Sequence, residues 1–296
     1  YNYYGIYVQS SSNNNRLSSI MASSNSNGIT LFFSSNNSIQ DSIVNASLRD
    51  AVSISVGSID NLLRNIIITN TNFSFYDLFF ATGVNGNQFV DMPHIGNYSF
   101  TGDGGTIIVK NSQFGEIRFL QNVNGSGTNF TRDIRIGNNS VSVESGSNPG
   151  LNKSANVTLY GIGNRGFAEP IILKDNVECL NCYNFTNLTA TNVIFNVTGW
   201  TNYEIGEGDA TPPAINYTNP TPANNSEQNW SSVYVNVSAS DAGRIYGFTN
   251  LDKSLAAWYR LDNSSLAGEN ATHVYDWSGN GNNGTVFGNA AVTKNG

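Results

Sequence analysis

The 296-residue chain is 39% hydrophobic and 12% charged, with 14 basic against 21 acidic side chains and a formal charge of −7. That apolar content excludes a disordered chain, and the few scattered Lys and Arg exclude nucleic-acid binding, which needs basic residues to displace phosphate counterions. No apolar run approaches the roughly eighteen residues of a membrane helix, so no membrane insertion is expected of this stretch.

No segment carries apolar positions at helical spacing. Val, Ile, Thr, Tyr and Phe alternate instead with Ser and Asn in short bursts, as in strands with one buried face, so the predicted fold class is all-β. Three segments repeat at a period of about 23 residues, beginning at Gly5, Gly28 and Ala51. Each opens with an alternating burst (Ile6, Tyr7, Val8; Ile29, Thr30, Leu31; Val52, Ser53, Ile54) and turns a corner rich in Ser and Asn. A second burst follows at Leu17, Ile39 and Leu62, with a one-residue slip between the first two repeats. Such a chain coils into a parallel β-helix, in which stacked turns complete each other's hydrogen bonds and alternate side chains fill a narrow interior. Asn tolerates the left-handed conformation of the corners.

The pattern GIYVQSSSNNN resembles the right-handed β-helix repeat of NosD-type and carbohydrate-binding surface proteins, common in archaea. The match is good to about residue 75. Weaker turns run through Ile107 and Ile117 to about Val143, and residues 76–105, with Asp91 and His94, read as a loop or irregular turn. The β-helix is therefore assigned to 1–145. Residues 146–208 read as a small β capping domain over the last coil, since an uncovered solenoid end templates aggregation. They resemble the region that follows β-helices in archaeal surface proteins.

Residues 209–247 combine a linker, marked by Pro212 and Pro213, with a segment resembling the opening of an Ig-like domain, where Val233, Val235 and Val237 alternate with polar residues. Residues 248–296 resemble the start of a laminin-G-like (concanavalin-A-like) jelly roll: Trp258 and Leu261 precede the turn from Asp276 to Thr285, whose glycines permit a tight bend. The chain accordingly reads as a piece of a larger protein, with the sugar-binding loops of that jelly roll beyond Gly296.

Nineteen asparagines stand in N-x-[ST] sequons, where composition alone predicts roughly nine. They are Asn36, Asn45, Asn72, Asn97, Asn124, Asn129, Asn138, Asn152, Asn156, Asn184, Asn187, Asn196, Asn216, Asn224, Asn229, Asn236, Asn263, Asn270 and Asn283. The excess predicts N-glycosylation at several of them. Cys179 and Cys182 form a C-x-x-C pair with too few further ligands for zinc. A local disulfide and two free thiols are the remaining readings, and the former fits an extracellular setting.

No cluster of carboxylates or cations marks a catalytic face: Arg16 and Asp41 fall on different strand positions. Asp91 with His94 reads as either a small site or a solvated loop, and Asp103 among three glycines as either a Ca²⁺ ligand or a tight turn. No other cofactor is expected. Trp200, Trp230, Trp258 and Trp277 are candidates for stacking on sugars or for core packing. The reading is a non-catalytic, secreted, glycosylated cell-surface protein. It would be structural or adhesive, self-associating into a filament or surface layer, with glycans or neighbouring surfaces as partners. The rivals are a monomeric carbohydrate-binding adhesin acting through its jelly roll and a polysaccharide-degrading enzyme.

Overall fold

The computed structural model describes residues 2–45, 47–72, 74–208, 213–223, 225–227, 229, 232, 234–241, 256–259 and 272–287. It is nearly all β, with a β-solenoid of about five turns. The chain divides into two compact units, Tyr1–Gly208 and Asp209–Gly296.

In the first unit one sheet stacks Tyr4–Gln9, Asn27–Phe32, Val52–Ile54, Leu78–Phe80 and Tyr98–Gly105 in parallel. Its register places Ile6 beside Ile29, then Val52, Leu78 and Tyr98, with Val8, Leu31, Ile54, Phe80 and Phe100 in the next interior column. A second sheet stacks Arg16–Ser18 and Met21–Ser23 on Ser38–Asn45, followed by Leu62–Thr69, Asn87–Val90 and Ile107–Asn111. Leu17 pairs with Ile39, one residue short of the spacing from Ile6 to Ile29, so the one-residue slip lies in the first corner. Between the two sheets Ile29, Leu31, Ile39, Ile54 and Leu63 are wholly buried. Each such side chain contributes about 1.5–3 kcal/mol.

The corners are held by asparagine. Asn14, Asn36 and Asp60 form one column of left-handed residues, which Gly86 continues. Beside it runs an interior ladder. The backbone N–H and Nδ2 of Asn15 both donate to Asn37 Oδ1, those of Asn37 to Asn61 Oδ1, and those of Asn61 to Asn87 Oδ1, all within 2.9–3.1 Å. Asn87 Nδ2 ends the ladder on the carbonyls of Ser58 and Val84. A second column of left-handed residues, Ser19, Asp41, Asn65 and Asp91, bends the second sheet. At the start of the turns a side chain is excluded: a Cβ on Gly28 would lie 2.3 Å from Val44 Cγ1.

Residues 76–105 are not a loop. They supply Leu78–Phe80, Asn87–Val90 and Tyr98–Gly105, coil strands whose interior is aromatic. The Phe80 ring lies 5.5 Å from Phe89 and 5.2 Å from Phe100, and Phe130 closes on Phe89 and Tyr98. Parallel coiling ends at Asn111, earlier than the expected Val143. Asn111 Oδ1 accepts from the N–H groups of Gln113 and Phe114, folding a hairpin that sends Gly115–Phe119 back antiparallel. Ala155–Tyr160 and Asn192–Val197 then extend the second sheet. A third, antiparallel sheet joins Ile134–Gly137 and Ser140–Val143 to Asn202–Glu207 and Pro170–Lys174. The cap is thus interleaved with the coil end across the expected boundary at residue 146, because strands on both sides of it pair with one another.

In the second unit the described residues form two ribbons: Ala214–Thr218 with Asn236–Ser240, and His273–Val274 with Gly284–Thr285. The strand expected to be half-buried at Val235 and Val237 is exposed throughout Asn236–Ser240. Pro212, Trp230, Val233 and Leu261 lie outside the described residues.

Candidate functional site

The outer face of the first sheet alternates with its interior columns. Across it the register reads Tyr7, Thr30, Ser53, Phe79. Two small hydroxyl residues therefore lie between two aromatic ones, on strands about 14 Å apart at three inter-strand spacings. The result is a cleft of about 370 Å³. Its floor includes Thr30, Ser53 and Ser55, and its walls carry Tyr3 and Tyr4 on one side and Phe75, Tyr76 and Phe79 on the other. Tyr4 stacks on Tyr7 with ring centroids 4.2 Å apart, and Tyr76 stacks on Phe79 at 6.1 Å.

Polar groups complete the cleft. The Arg49 guanidinium sits 5.5 Å above the Phe75 ring, and Arg49 Nη1 donates to the Tyr3 hydroxyl at 3.4 Å. Asp50 Oδ1 accepts from Tyr76 N at 3.2 Å. Burial raises the Asp50 carboxyl above its ordinary range, against the opposing effects of that N–H and the Arg49 charge. Thr30 is 6% exposed, and its Oγ1 is buried without a hydrogen-bond partner. Few buried hydroxyls in native structures lack one.

A second cleft, of about 470 Å³, is lined by Phe89, Met92, Val109, Asp91, Lys110 and Arg135 among others. Its charged groups are already engaged. Asp91 accepts from the N–H and hydroxyl of Ser112 at 2.7 Å and pairs with Arg64 at 3.4 Å. Burial pushes its carboxyl up, but these partners outweigh burial and hold it below its ordinary range. Lys110 lies over the Tyr160 ring, and Arg135 Nε donates to Arg132 O.

Asp91 is therefore a corner residue, and no hydrogen bond or ion pair joins it to the exposed His94 among the described residues. Asp103 is exposed between Gly102 and Gly104, both left-handed, in an irregular stretch of its strand. Among the described residues no three His, Cys, Asp or Glu side chains gather as a metal site would need. Arg16 stands beside Ser38, whereas Asp41 occupies a corner and accepts from Asn65 Nδ2. Trp200 is core: it packs on Phe119 and Tyr203, and its Nε1 donates to Lys153 O at 2.7 Å. Trp277 is 40% exposed. Asp276 Oδ1 accepts from the N–H groups of Trp258 and Ser278, and Oδ2 from that of Asn282. Burial opposes these bonds, yet they hold its carboxyl at about 2 and organise the turn.

Cys179 and Cys182 are joined as a disulfide. Of the sequon asparagines, Asn224, Asn263 and Asn270 lie outside the described residues, and none of the other sixteen is buried. Among the described residues the buried asparagines are Asn25, Asn27, Asn37, Asn61, Asn87 and Asn139, none of which heads a sequon. Some sequon asparagines also serve the fold. Asn129 Oδ1 caps the short helix Phe130–Asp133, Asn152 Oδ1 accepts from Trp200 N, and Asn196 Nδ2 donates to Ala155 O.

The aromatic walls escape sequence reading because Tyr3 and Tyr4 precede the first clear repeat, while Phe75, Tyr76 and Phe79 lie around the boundary of the stretch expected to be a loop or irregular turn. The available signal is the outward column Tyr7, Thr30, Ser53 in the aligned repeats. No family model, no curated protein and no solved structure matches this chain.

Proposed function

We propose that this chain is a non-catalytic, structural or adhesive part of an extracellular, N-glycosylated cell-surface protein. It would act as a subunit of a filament or surface layer of archaeal type. The observation that carries the reading is the sorting of asparagine: the buried asparagines, among them the ladder residues Asn37, Asn61 and Asn87, lie outside sequons, and every described sequon asparagine has solvent access. A glycosyltransferase reaches only the second set. The coil supports a load-bearing role, since its ladder fixes each turn on the next. The ribbon Ala214–Thr218 and Asn236–Ser240 supports self-association, because its outer edges are unpaired among the described residues. The Ig-like and laminin-G-like identities of residues 209–247 and 248–296 belong to this proposal, resting on their sequence motifs.

Intact mass of the native protein tests the reading. Mass for this stretch is expected well above the 31.9 kDa of the bare polypeptide, with glycopeptides at several of Asn36, Asn72, Asn124 and Asn187. A bare mass would refute glycosylation. A carbohydrate-binding adhesin is the second reading, favoured by the aromatic cleft on the first sheet.

A further inference from the structure

We propose that the cleft between Tyr4 and Phe79 is a saccharide-binding site that takes one or two neutral pyranose units. This refines the adhesive half of the function proposed above and places the contact on the coil itself, not on a jelly roll.

The chemistry of the lining narrows the ligand. A pyranose presents apolar C–H faces and a rim of hydroxyls, so it needs aromatic platforms beside small donors and acceptors. Both are present: Tyr4 and Phe79 flank the floor of Thr30, Ser53 and Ser55, with Asp50 and Arg49 at the side. The volume of about 370 Å³ lies within the roughly 300–1,000 Å³ of small-ligand sites. Ser53 and Ser55 Oγ share one hydrogen bond at 3.4 Å, and an acyl chain would leave the rest of the floor's polar capacity unmet, at a cost. A peptide strand finds no edge on the floor, because Asn27–Phe32 and Val52–Ile54 are already paired on both sides. A strongly anionic ligand meets Asp50, and Arg49 is already held by Phe75 and Tyr3.

Thr30 Oγ1 supplies the second, independent observation. Thr30 lines the cleft, and its Oγ1 is buried with no hydrogen-bond partner among the described residues. In this proposal the side chains that cover Thr30 Oγ1 move aside and a sugar hydroxyl bonds to it. The saccharide has two sources of the same chemistry: an external polysaccharide, or an N-glycan on the nearby Asn72, whose carbonyl accepts from Phe75 N at 2.9 Å. The second source requires the glycosylation proposed above and the first does not.

Full-length chain made without glycans is tested against an array of neutral oligosaccharides, with titration calorimetry of whatever binds. Binding by the bare chain is expected, weakened about tenfold in Phe79→Ala and in Tyr76→Ala. Thr30→Val separates ligation from packing: it should raise the melting temperature, because the orphan hydroxyl is gone, while weakening binding about tenfold. If only the glycosylated chain shows the cleft occupied, by nuclear Overhauser contacts between sugar and ring protons that vanish in Asn72→Gln, the ligand is the internal glycan. The proposal is overturned if no array member binds the bare chain and the glycosylated chain shows no such contacts. It is equally overturned if binding survives all three cleft substitutions unchanged. Neither outcome touches the mass measurement, which stands or falls separately.

Discussion

Adjacent asparagines do opposite work in this chain. Asn36 is exposed and left-handed at a corner, whereas Asn37 is buried in the ladder. Asn61 is the ladder's centre: its Oδ1 accepts both donors of Asn37, and its Nδ2 also donates to Ser34 O. Asn61→Ala leaves those groups unpaired in the interior, and each buried orphan costs about 1–3 kcal/mol. We expect Asn61→Ala to lower unfolding free energy by about 3 kcal/mol in denaturant titration, and Asn36→Gly to change it by under about 1 kcal/mol. Equal effects would show that the ladder is not what holds the corner. Tyr203 makes a second prediction at this scale. Its hydroxyl donates to Gly199 O at 2.6 Å, and burial, assisted by the Asp175 charge, lifts the phenol to about 12. In the unfolded chain the phenol titrates near 10. The stability that follows from the shift is thus fully present below pH 10 and is lost as pH rises to about 12. Tyr203→Phe should flatten that alkaline loss, as read from unfolding midpoints across pH.

What was legible in the sequence at the scale of elements follows from the chemistry of the coil interior. The first three turns show in sequence because Ile, Leu and Val alternate with polar residues, and their stacked partners share those identities. The fourth and fifth turns hide because Phe80, Phe89, Tyr98 and Phe100 replace the aliphatic column, while Gly, Asn and Asp between them carry the signals of a loop. The end of coiling hides for another reason. Gly115–Phe119 has the alternation of a coil strand, and only the Asn111 turn reverses its direction. Of the candidate cleft, sequence shows the floor column but not the walls. The disulfide belongs to this scale as well. It closes a loop of only four residues, so the chain-entropy model assigns it no more than about 2 kcal/mol. Cys179→Ser with Cys182→Ser should therefore melt only slightly earlier than the parent. Complete unfolding of that variant would give the disulfide a role that loop closure does not explain.

Among the described residues the hydrophobic core lies almost entirely in the first unit, and every buried apolar side chain but Val274 precedes Gly208. A chain ended at Gly208 therefore retains its aromatic closure, its cap and its ladder, and should unfold at the same denaturant concentration as the main, last transition of the full chain. The second unit differs in kind. Ile215, Tyr217 and Val237 are exposed on a two-stranded ribbon, and isolated ribbons of two strands are marginal in water. Another strand added to such an edge completes hydrogen bonds and covers apolar surface. If copies of this chain supply that strand head-to-tail, the contact is heterologous and growth need not close. Full-length chain should then form elongated particles in electron micrographs as concentration rises, while the chain ended at Gly208 stays dispersed. Dispersed full-length particles at high concentration would remove the polymer. Elongated particles from the shortened chain would move the contact onto the coil, where Tyr4–Gln9, Arg16–Ser18 and Met21–Ser23 carry unpaired outer edges among its described strands.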